Sequence, residues 1–128
     1  MSADVPDALS TEVAGLLRTA GASFAFLHGS RVHASARADS DLDVAAWWPA
    51  APPAVFEVLL PVGVDLLVLN TAPLELSGRI ALHGRLLFDV DPPARVRWVA
   101  GTRKIYADEQ PRMRRADQEF AESVRRGR

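Results

Sequence analysis

The chain has 128 residues, 48% of them hydrophobic, a formal net charge of −1 and no cysteine. That length fits one domain with a core of its own, and the near-neutral charge gives no global pull toward nucleic acid or membrane. The missing cysteines exclude disulfides, thiolate metal sites and a cysteine nucleophile, the acid-bearing start carries no basic signal-peptide region, and no apolar run reaches membrane-spanning length. A single cytoplasmic domain over 1–128 is expected, with no membrane contact and no direct nucleic-acid binding.

In chain order, Val5, Ala8, Leu9, Val13, Leu16, Leu17 and Ala20 recur at helical spacing, and Gly21 follows as a stop signal. This predicts a first amphipathic helix over 5–20. The short apolar run at 23–28 predicts a buried strand, broken by Gly29-Ser30. A short helix is expected over 30–35 and a loop over 36–40. A second strand is expected at 41–48, a short helix at 55–60 and a third strand at 62–69. Thr71-Ala72-Pro73 opens a further helix that Gly84 closes. A fourth strand follows at 85–89. Pro92-Pro93 starts a long helical segment, which Pro111 either kinks or divides. The basic tail at about 121–128 is expected to fray. The fold class is therefore α/β or α+β: a small mixed sheet of three or four strands, with helices packed on one side.

The chemistry concentrates between Gly29 and Asp43, where Gly29-Ser30 is followed by ten residues and then Asp41-Leu42-Asp43. Side chains alternate along a strand, so Asp41 and Asp43 share one face with Cα atoms roughly 6.5 Å apart. Two carboxylates there repel unless a cation sits between them. A hard ion such as Mg²⁺ prefers carboxylate and phosphate oxygens. Asp65 enters the apolar run of the third strand, where an ionised group needs a partner, and it is placed to join the cluster. Gly29 permits close approach of a phosphate, and a helix starting after it presents free N–H groups to an anion. The Ser30 hydroxyl and the Arg31 guanidinium add donors. One half of the constellation suits phosphate and the other suits metal, the pairing that assists nucleotidyl transfer. Taken singly, a Gly-Ser after a strand, an Asp-x-Asp turn or a core Asp65 paired with arginine each has a plain structural explanation.

Together these residues resemble the signature of the DNA polymerase β-like nucleotidyltransferase superfamily. The likeness is strongest to the minimal nucleotidyltransferases of the MntA antitoxin family. Val64-Asp65-Leu66-Leu67-Val68-Leu69-Asn70 is similar to that family's third-acid strand. Arg79-Ile80 and His83-Gly84-Arg85-Leu86-Leu87-Phe88 resemble its next helix and strand, and Tyr106-Ala107-Asp108 with Arg112 its terminal helix. The resemblance implies a polymerase β-like nucleotidyltransferase fold and an antitoxin that moves AMP from ATP to a tyrosine hydroxyl of a cognate HEPN ribonuclease toxin. It implies that Gly29 and Ser30 hold the triphosphate, and that Asp41, Asp43 and Asp65 bind two Mg²⁺ ions, with Asp65 helping to deprotonate the acceptor. A tyrosine hydroxyl has a pKa near 10 and needs such activation. His33 stands where the family usually has arginine and Ala34 where it has glycine. Histidine is mostly neutral at pH 7, so this chain brings one fixed positive charge fewer to the phosphates.

Two other readings stay open at this stage. One is an antitoxin that neutralises its toxin by contact alone; the other is nucleotidyl transfer to a small-molecule hydroxyl. His28 is expected to pack at a strand end. Trp47 and Trp48 point to opposite faces, one into the core and the other toward core, partner or an adenine ring. Trp98 and Tyr106 are read as packing residues. The arginines at 112, 114, 115, 125, 126 and 128 form a basic region that by default is a solvated helix face.

Overall fold

The computed structural model describes residues 8–29 and 42–126. Helix α1 (Ala8–Thr19) buries Val13, Ala14 and Leu17 and carries Arg18 in its last turn. Gly21 turns the chain at φ +101°, a conformation that favours glycine. Strand β1 (Phe24–His28) follows, then β2 (Leu42–Trp47) and β3 (Val64–Val68). Helix α2 (Leu74–His83) leads through Gly84 into β4 (Arg85–Asp89), and α3 (Pro92–Arg125) completes the described chain.

The four strands form one mixed sheet in the order β3-β2-β1-β4. Strand β1 runs antiparallel to both β2 and β4, while β2 and β3 are parallel. A register shift between Ala25 and Phe26 bulges the β1–β4 pairing.

The helices lie on both faces of the sheet, which corrects the expected one-sided packing. Along each strand the side chains alternate faces. Ala25, Leu42, Val44, Ala46 and Trp48 meet α1 in one buried cluster. Phe24, Phe26, Ala45, Trp47 and Leu67 meet Ile80 and Leu76 of α2 and Ala94 and Trp98 of α3 in a second. The two-sided pattern follows from strands that are apolar on both faces, the signature of a sheet covered on both sides. Trp48 belongs to the first cluster, and its indole N–H donates to the Ala20 carbonyl at 3.1 Å. Trp47 stacks on Phe24, ring centroids 5.2 Å apart and planes 11° from parallel. Both tryptophans are thus core residues, and neither is placed to stack on a base.

One expected helix changes. The segment expected as a helix at 55–60 is a single 3-10 turn, Val55–Glu57. Helix α3 runs unbroken through Pro111. Proline removes the hydrogen bond to the carbonyl four residues back, that of Ala107, and both residues are exposed, so water can satisfy that group. The helix continues to Arg125. Its N-terminus is secured by Asp91, whose carboxylate accepts from Ala94 N–H at 3.3 Å, and by the Asp89–Arg95 ion pair. Tyr106 packs in the α2–α3 contact, directly over Gly78. The short helix expected over 30–35 lies outside the described residues.

Candidate functional site

The site forms at one end of the sheet, on the face covered by α2. There the register places His28 of β1 opposite Asp43 of β2, and Asp43 opposite Asp65 of β3. Alternation puts all three on the face that carries Phe24, Phe26 and Ala45. A row therefore crosses three strands in the order Asp65, Asp43, His28, with neighbours about 4.8 Å apart across each strand pair.

Gly29 ends β1 at φ +85°, and only its lack of a Cβ makes room for the Asp43 carboxylate. A Cβ built there would lie 2.2 Å from Asp43 Oδ2. The glycine thus serves two needs at one position: a left-handed turn and contact with the acid. Asp43 is half-buried, whereas Asp65 is exposed on the edge strand.

His28 was expected to do no more than pack. Its Nε2 is buried and has no hydrogen-bond partner among the described residues. Burial pushes the imidazole below its ordinary pKa, and the Asp43 charge offsets part of that shift. Beyond His28 and Gly29 opens a cavity of about 260 Å³, closed on its far side by Leu76, Arg79, Ile80 and His83 of α2 and by Gly84. The signal for His28 was present in the sequence: period-two alternation puts it in line with Phe24 and Phe26, immediately before the glycine. The α2 wall carried no such signal.

Of the expected site residues, the structure places Gly29, Asp43 and Asp65 together; Ser30, Arg31 and Asp41 lie outside the described residues. Among the described residues no group of three or more His, Cys, Asp or Glu side chains is arranged to hold a metal ion. One of the three expected carboxylates is outside that set. The donor set that is described fits a hard divalent cation: two carboxylates in register on neighbouring strands, one kept clear by a glycine.

No family model and no curated protein matches the chain. Solved structures do. A chain of an MntA–HepT toxin–antitoxin variant with two aspartates changed to glutamate superposes with a TM-score of 0.73 at 18% identity, over 87% of this chain and 98% of that one. A toxin–antitoxin solved with AMP-PNP gives 0.72 at 20% identity, over 87% and 98%. The fold is that of the MntA antitoxins. A complex of tri-AMPylated HEPN toxin with MNT antitoxin from Shewanella oneidensis gives 0.67 at 19% identity, over 87% and 95%. No described helix is long and apolar enough to cross a membrane.

Proposed function

We propose that the protein is an antitoxin that transfers AMP from ATP to a tyrosine hydroxyl of a cognate HEPN ribonuclease toxin and so silences it. The observation that carries this reading is the in-register pairing of Asp43 with Asp65 beside a left-handed Gly29, on the MntA fold. Support also comes from what neighbouring structures contain: AMP-PNP in one and an AMPylated HEPN toxin in another.

In this reading Gly29 and Ser30 hold the triphosphate through backbone N–H groups and the serine hydroxyl, and Arg31 pairs with a phosphate oxygen. Asp41, Asp43 and Asp65 would hold two Mg²⁺ ions, which would supply positive charge to the reacting oxygens. Asp65 sits on the exposed edge strand, where a side chain of a second protein can reach it. Its carboxylate takes the proton from the acceptor hydroxyl. The hydroxyl oxygen attacks the α-phosphorus, the bond to the bridging oxygen of the β-phosphate breaks, and pyrophosphate leaves. The half-buried Asp43 is fixed by Gly29 and supplies the constant geometry of the site.

The test is the ribonuclease activity of the toxin after incubation with this protein, Mg²⁺ and ATP, once the two proteins have been separated. Lasting loss of activity that requires ATP and fails with Asp43→Asn supports transfer. Silencing that needs no ATP and reverses on separation would instead make the protein a binding antitoxin.

A further inference from the structure

We infer that Leu59 and Val62, on the connection between β2 and β3, form an apolar rim that seats the acceptor-bearing toxin beside Asp65. The inference rests on the transferase reading above and adds the surface by which its protein substrate is held.

Exposure singles these residues out. Val62 is fully exposed and Leu59 is 83% exposed, the two highest values among the large hydrophobic residues described. Neither is a stray core residue. Val58 and Leu60, on either side of Leu59, already pack with Val64 and Leu66 against the cluster that holds α1. Leu59 and Val62 are what the connection turns outward once that need is met.

Val62 is also held firmly. The Val64 N–H donates to the Pro61 carbonyl at 3.2 Å, and Gly63 has φ +90° while Val62 has no positive φ. That is the pattern of a type II turn, with glycine at the one corner that requires it and Val62 at the other. The Gly63 carbonyl accepts from the Leu42 N–H at 2.7 Å, which ties the turn to β2. A corner fixed in this way loses little freedom when a partner covers it.

Place decides what covers it. Strands β2 and β3 are parallel, so the connection returns to the end of the sheet where Asp43 and Asp65 pair. Val62 lies three residues before Asp65, which keeps their Cα atoms within about 11 Å. Asp65 is exposed on the edge strand, and a polypeptide that brings a hydroxyl to it from that edge meets the rim. The rim stands out on a turn, which suits a protein; a small acceptor needs a concave pocket. Charge points the same way. No Lys, Arg or His occurs between Arg37 and Arg79, and Glu57 and Asp65, which flank the rim in sequence, are both exposed. Such a surface repels RNA and anionic lipid, and it complements the cationic surface with which a ribonuclease holds its RNA.

The test titrates the toxin into the protein by calorimetry without ATP, beside a titration with ATP and Mg²⁺ and a thermal melt. It compares the wild type, Leu59→Ser/Val62→Ser and Val90→Ser. Val90 is 60% exposed and follows β4, the other edge of the sheet, so it serves as the matched control. The double variant should bind the toxin at least about tenfold more weakly, with ATP affinity and Tm as in the wild type. Val90→Ser should bind the toxin as the wild type does. Unchanged toxin affinity in the double variant would overturn the inference, as would an equal loss in Val90→Ser or a parallel loss of ATP affinity. A weakened double variant beside a wild type that binds the toxin and never labels it would keep the rim and sink the transfer step. A wild type that neither binds nor labels the toxin would remove the antitoxin reading, and the inference with it.

Discussion

Replacing Gly29 with alanine should damage transfer far more than it damages the fold. Alanine at φ +85° costs about 1–2 kcal/mol, because its Cβ crowds the backbone in the left-handed region. For a domain of this size that corresponds to a fall in Tm of roughly 5 °C. The larger effect is local. The new Cβ would stand 2.2 Å from Asp43 Oδ2 and 3.1 Å from its Cγ. Ordinary contact is about 3.5 Å, so the carboxylate must retreat by roughly 1 Å. A displacement of that size at a reacting centre can cost about a hundredfold in rate. The assay is the initial rate of toxin labelling at saturating ATP, read beside a thermal melt. The reasoning predicts a small loss of Tm with a roughly hundredfold loss of rate. A Gly29→Ala protein that labels the toxin within about threefold of wild type would refute it.

Other outcomes follow from the packing. A Cβ at Gly78 would meet Tyr106 ring atoms at 2.2–2.7 Å, so Gly78→Ala should force α2 and α3 apart and cost about 1–3 kcal/mol by urea denaturation. Asn70 accepts from the Trp48 N–H at 3.0 Å and donates to the Trp48 carbonyl at 2.8 Å, so Asn70→Ala should cost about 1–3 kcal/mol in the same assay. The folded-state pKa of His28 lies below its unfolded value, so the unfolded chain binds the proton first as pH falls. Stability from this group is therefore complete above about pH 6.5 and declines below it. His28→Leu should show a smaller drop in Tm between about pH 7.5 and about pH 5.5 than the wild type.

Much of this architecture was legible before any coordinates. The strands 23–28, 41–48, 62–69 and 85–89 sit within a few residues of their observed bounds, because short apolar runs between Gly, Pro and Asn signals mark strands directly. Alternation alone put Val44 and Ala46 on the face opposite Asp43, and the cross-strand register then brought Asp65 beside it. What local patterns lack is information on what covers each face. The sequence of β2 is apolar on both sides apart from its acids, yet the two-sided covering emerges only once α1 and α2 are seen on opposite faces. Of the two outcomes expected at Pro111, the division of the helix does not occur, and the carbonyl that the proline frees belongs to an exposed residue. The cavity wall was invisible because Leu76, Arg79 and Ile80 lie about fifty residues from His28 in the chain and meet it only through the fold.

The most direct test of the central claim is the intact mass of the cognate HEPN toxin after incubation with this protein, ATP and Mg²⁺, beside an Asp43→Asn/Asp65→Asn control. The account predicts a mass gain in whole AMP units that requires ATP and disappears in the control. An unchanged mass from a toxin that is nonetheless silenced would contradict it, and would leave a protein that neutralises by binding on a nucleotidyltransferase fold.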